Sequence, residues 1–144
     1  MNDIDIAKEL LQKEKLALAV VKNSEIIFTS RDRGIKPLFT VVSDLKDELK
    51  GASIADRVTG KAAAMLCEYA DIKELSTRLI SEKAINVLEG TSIIYNYEES
   101  TPYIKNRDET GMCPVETLSL KTNNINELLE EITNFLESIK NSSN

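Results

Sequence analysis

The stretch ADRVTGKAAAMLC, residues 55–67, sets alanines, a cysteine and a glycine around Arg57 and Lys61. Val58, Ala62, Met65, Leu66 and Tyr69 recur at the three- and four-residue spacing of one helix face. Gly60, Ala63, Ala64 and Cys67 put small residues on another side, where a second backbone can approach closely. This spacing predicts a central, buried helix over residues 54–69, with Arg57, Lys61 and Glu68 sharing its remaining strip. An unpaired buried ammonium is costly. Lys61 therefore either lines a pocket with Arg57 and binds a phosphate or carboxylate, or snorkels to water or pairs with Asp56 or Glu68.

Outward from this stretch the chain alternates. Residues 3–14 read as a helix with Asp3 as N-cap and Ile6, Leu10 and Leu11 as an apolar stripe. Two β-rich runs, residues 16–22 and 25–30, flank KNS and read as a hairpin. Pro37 suits the first turn of a helix over residues 37–49, after a charged loop in which Gly34 permits unusual backbone angles. Residues 73–81 read as a strand, after which Ser81 caps a helix that Gly90 stops, and SIIYNYE reads as another strand. TLSLK, residues 117–121, reads as a short helix or strand. Asn124 and Glu127 resemble a capping box opening a helix with Leu128, Leu129, Ile132, Phe135, Leu136 and Ile139 on one face, and the tail KNSSN is expected to fray. The alternation predicts an α/β fold, a mixed sheet of about five strands covered by helices. One domain over residues 1–144 follows, with a core over 15–121, an N-terminal helix to residue 14 and a C-terminal helix over 124–140.

Composition narrows the chemistry. The formal charge of −6 repels phosphate backbones and anionic bilayers, which argues against nucleic-acid polymers and membranes as partners. No apolar run of transmembrane length and no basic-then-apolar leader occurs, so a cytoplasmic protein is expected. Cys67 and Cys113 form no close-spaced metal pair and are expected as free thiols. With no histidine, the chain has no imidazole base, no Ser/His or Cys/His pair and no His-containing zinc site, and no cofactor is expected.

Two basic loops add candidates to the Arg57 and Lys61 pair. Arg33 and Lys36 lie in RDRGIK, and Asn106 and Arg107 in KNRDETG, and together these loops suit a shared site for a small anion. Cys113, before Pro114, falls at the N-cap of the following helix, where the helix end favours a thiolate, or else it is an ordinary structural cysteine. Asp56, Glu82 and Glu116 suit helix caps better than acid-base pairs.

In this order, RGIKPL, GASIADRVTGKAAAML, SEKAINVLE and PYIKNRDETGMCPVE resemble a small prokaryotic family, domain of unknown function 1893, over about residues 16–121. The resemblance implies a cytidine-deaminase-like fold. Zinc deaminases carry H-x-E at the start of one helix and P-C-x-x-C at the start of the next. Here Ala55, Asp56 and Arg57 stand near the first motif, and Ser81, Glu82, Lys83 and Ala84 near the second. Neither Ser81 nor Ala84 supplies a thiolate, so zinc-dependent deamination is not expected, and Asp56, Arg57 and Lys61 would stand where metal ligands stood. The expected function is binding of a small anionic or nucleotide-like ligand by these residues with Ser81 and the two basic loops. Lys61, Ser81 and Cys113 are the candidates for any catalysis. The alternatives are a non-enzymatic assembly or regulatory protein and a Cys113-dependent enzyme, and the fold resemblance implies a homo-oligomer.

Overall fold

The computed structural model describes residues 1–142. Its first long-range feature is a hairpin of β1 (Leu18–Lys22) and β2 (Glu25–Ser30). Asn23 and Ser24 stand at φ of 53° and 67°, the left-handed region that a two-residue turn between right-twisted strands requires. Helix α1 (Asp3–Lys13) precedes it, and its cap is Asn2, whose side chain accepts from the Asp5 amide. Asp3, expected as the cap, instead accepts the turn amides of Asn23 and Ser24 at 2.9 and 2.8 Å. A carboxylate one residue into the helix thus satisfies amides that the tight turn leaves unpaired.

Strand β3 (Ser53–Thr59) and helix α3 (Lys61–Ala70) divide the segment expected as one helix over 54–69. Residues 53–56 pair antiparallel with β1 and residues 53–59 parallel with β4 (Glu74–Ser81), so both edges of β3 carry ladders. Two hydrogen-bonded neighbours outweigh a helical spacing of side chains, and Ile54, Val58 and Thr59 favour the extended chain. Val58, assigned to the helix's apolar face, is 43% exposed on the strand. The helix begins only after Gly60, an extended N-cap, and keeps the predicted small-residue character from Ala62 to Cys67.

The remaining elements follow the expected alternation. Helix α2 (Lys36–Leu49) has Pro37 in its first turn. Helix α4 (Glu82–Glu89) is capped by Ser81, whose Oγ accepts from the Ala84 amide at 3.2 Å, and ends at Gly90. Strand β5 (Ile94–Thr101) pairs parallel with β4. Helix α5 (Pro114–Ser119) has Cys113 at its N-cap, and α6 (Ile125–Ser142) opens on Asn124, which accepts from the Glu127 amide at 3.0 Å. The reciprocal half of that capping box is missing, because the Glu127 carboxylate takes the Thr122 hydroxyl instead. Residues 140–142 continue α6, and the rest of the tail expected to fray lies outside the described residues.

The result is an α/β fold with a five-stranded mixed sheet of order β2-β1-β3-β4-β5. Alternate residues of β1 separate its two faces. Leu18 and Val20 join the main core with α2, α3, α4 and α6, whereas Ala19 and Val21 join Ala7, Leu16 and Ala55 under α1. Leu128 and Ile132 seat α6 in the main core. Parallel strands β3, β4 and β5 finish at one end of the sheet. Because Leu18 lies opposite both Asp56 and Ser30, the loop leading from β2 to α2 leaves from that same end.

Candidate functional site

The amino ends of α3 and α4 open where their strands finish, and Lys61 is the first residue of α3. Its backbone amide donates to Glu116 Oε1 at 3.0 Å, and Glu116 Oε2 accepts the Ile104 amide at 2.5 Å. Glu116 is 3% exposed and so serves as a cap delivered from a distant helix. Gly60 makes room for it, since a Cβ there would meet Glu116 Oε1 at 3.0 Å and Ile104 Cγ1 at 3.2 Å. The turn that Cys113 and Pro114 begin therefore matters chiefly because it aims Glu116 at α3.

Lys61 is 8% exposed, and its Nζ donates to the Thr122 carbonyl at 2.9 Å. Burial, and after it the Lys83 ammonium, hold the Lys61 amine below the usual lysine range, while the Glu116 carboxylate opposes them. Lys61 lines an open cleft of ≈ 470 Å³ with Lys83, Asn86, Val87, Leu120 and Asn123. Lys83, Asn86 and Val87 share one face of α4 through their three- and four-residue spacing. Leu120 and Asn123 come from the segment joining α5 to α6.

The other expected site residues gather at this end of the sheet but divide among separate tasks. Arg57, on β3 and not on a helix strip with Lys61, donates through Nε to the Leu16 carbonyl at 2.6 Å. Ser81 is fully buried as the cap of α4. Asn106 closes its own loop, accepting from the Thr110 amide at 3.0 Å and donating to the Thr110 hydroxyl at 3.2 Å. Arg33, Lys36 and Arg107 are exposed. Cys113 is half-buried, and Cys67 is a buried free thiol that burial and the Asp56 charge push upward. Among the described residues no group of three or more Cys, Asp or Glu side chains is arranged to hold a metal ion.

Asp56 belongs to a polar chain between β3 and β4. Burial pushes its carboxyl up to about 7, against the amides of Val58 and Arg57 and the Thr59 hydroxyl, which favour the ionised form. Thr59 donates to Thr77 at 2.9 Å and Thr77 to the Leu79 carbonyl at 3.2 Å. A carbonyl accepts only, so the two bonds run in one direction, from Thr59 toward Leu79.

Sequence reasoning missed Lys83, Asn86 and Asn123, and also the role of Glu116. The pattern of Lys83 and Asn86 on one face of the Ser81-capped helix was the available signal. Nothing local marked Asn123 or the aim of Glu116.

The family model described as a domain of unknown function, DUF1893, matches residues 6–136. Among solved structures, the crystal structure of the DUF1893 family protein TM1506 from Thermotoga maritima is similar at a TM-score of 0.85. The two chains are 26% identical, and the similarity covers 92% of this chain and 89% of that one. A comparison with curated proteins finds no match.

Proposed function

The chain belongs to the DUF1893 family, and from that premise we propose that the cleft at the amino ends of α3 and α4 binds a small anionic, phosphate- or carboxylate-bearing ligand. The observation that carries this is a nearly buried lysine, Lys61, facing the same cleft as Lys83 in a chain of net charge −6. Two cations concentrated in one concavity of an acidic protein create a local field opposite to that of the whole molecule. Asn86 and Asn123 add amide groups that donate to anionic oxygens and accept from ligand hydroxyls. A volume of ≈ 470 Å³ lies in the usual range for small-molecule sites. The cytidine-deaminase-like reading is supported by the mixed five-stranded sheet flanked by helices, but Asp56 and Arg57, expected at a helix start in place of metal ligands, lie on β3. The nucleotide-like character of the ligand, and any part for the exposed Arg33, Lys36 and Arg107 in reaching it, belong to the same proposal.

Thermal unfolding tests it against inorganic phosphate, nucleotides, sugar phosphates and dicarboxylates, with Lys83→Gln alongside. A ligand at ten times its Kd adds roughly 1.4 kcal/mol, a rise of roughly 3–5 °C for a chain of this size. That rise is expected in the wild type and lost in Lys83→Gln. No rise with any anion, or an equal rise in the variant, removes the cleft as the site.

An assembly role is a second reading, favoured by β5. This edge strand leaves Ile94 53% and Tyr97 45% exposed, and an unpaired edge of eight residues is a template for a further strand. Light scattering of the purified protein decides whether it associates.

A further inference from the structure

Lys61 is the least exposed cation of the cleft, and its surroundings do not neutralise it. No carboxylate lies within ion-pair distance of its Nζ among the described residues. Glu116, the acidic group beside it, directs its two oxygens to the amides of Lys61 and Ile104. Thr122 offers a carbonyl, which a neutral amine satisfies as well as an ammonium does. The other charged group lining the cleft is a second cation, Lys83. A desolvated lysine beside another cation is the arrangement that frees an amine for attack on carbonyl carbon.

Resting on the anionic-ligand reading of this cleft, we infer that Lys61 is a nucleophilic amine that condenses with the aldehyde or ketone of an anionic small molecule whose acid group Lys83 holds. The Lys61 Nζ lone pair attacks the carbonyl carbon, and the carbon–oxygen π pair moves to oxygen. Proton transfer from nitrogen to that oxygen gives a carbinolamine. The hydroxyl takes a proton from solvent and leaves as water while the nitrogen lone pair closes the C=N bond, and the resulting iminium returns its remaining N–H proton to solvent, so amine and carbonyl become imine and water with no change of oxidation state. Lys83 acts in two ways: it pairs with the acid group, and its charge favours the free Lys61 amine against the opposing pull of Glu116. Asn86 from α4 and Asn123 from the segment joining α5 to α6 line the same cleft and are available to bind the polar remainder of the ligand.

The probe is pyridoxal 5′-phosphate, an anionic aldehyde, with uncharged pyridoxal as its control. The intact protein is incubated with each, reduced with borohydride and mapped by peptide mass. Lys61 is expected to carry the phosphate probe about tenfold above exposed Lys8, and also about tenfold above its own yield with pyridoxal. The pH at which its labelling reaches half-maximum should lie below the usual lysine range, and Lys83→Gln should move that midpoint upward. Lys61→Arg keeps the charge and should lose the adduct while phosphate still raises the melting temperature. Labelling that only follows exposure, or equal yields from the two aldehydes, overturns the inference. Stabilisation by inorganic phosphate without an adduct at Lys61 overturns the amine and leaves the anion site standing, whereas absence of both signals overturns the two together.

Discussion

Replacing Asp56 with Asn should make the protein more stable, and only as pH rises. The Asp56 carboxyl titrates at about 7 in the folded chain against an ordinary 3.8, because burial disfavours its charge. Below about pH 4 both the folded and the unfolded chain hold this proton, and no penalty exists. Between about pH 4 and 7 the unfolded chain has released a proton that the folded chain keeps, so stability falls as pH rises. Above 7 both forms are ionised and the penalty is complete. A shift of roughly three units is worth about 4 kcal/mol. Asp56 is only half-buried by surface, so solvent screening reduces this to about 2 kcal/mol. Asn matches the shape of the neutral acid without the charge. Thermal unfolding of wild type and Asp56→Asn from pH 4 to 9 should show a difference near zero at the acid end, growing through pH 7 and level by pH 8.5 at roughly 4–8 °C. A difference that stays flat with pH, or an Asn variant less stable throughout, would refute the assignment of a neutral buried carboxyl.

Glu116→Ala should cost roughly 2–4 kcal/mol by denaturant titration, since it leaves the amides of Lys61 and Ile104 without their buried acceptor; a loss below about 0.5 kcal/mol would mean that water replaces the carboxylate freely. Ser81→Ala removes the α4 cap and should cost about 1 kcal/mol in the same titration, with the fold retained by circular dichroism; an unchanged midpoint would show that the cap is dispensable.

Much of the fold was legible because it rests on local chemistry. Ser81 and Gly90 mark both ends of α4, Asn23 and Ser24 mark the hairpin turn, and the Leu128–Ile132 spacing marks α6. The boundary between β3 and α3 was not legible, because Val58 and Ala62 keep a four-residue spacing across a point where the backbone changes from extended to helical. Pairing with β1 and β4 decided that stretch, and pairing is not a property of the stretch itself. Lys61 was conspicuous as a cation in an alanine run. Its setting was not, since Glu116 lies 55 residues away and Thr122 lies 61 residues away in sequence.

Those separations also set an order of events during synthesis. When α3 leaves the ribosome, its first amide and the Lys61 ammonium have only water to bind, because Glu116 and Thr122 have not been made. At the usual elongation rates, adding the 61 residues to Thr122 takes about 3–12 s. The cleft cannot be completed before α5 brings Glu116 to α3 and the segment after it brings Leu120 and Asn123, the last of its lining to be made. The cleft is therefore among the last parts of the molecule to be completed, and a chain ending before α5 would lack Glu116, Leu120 and Asn123.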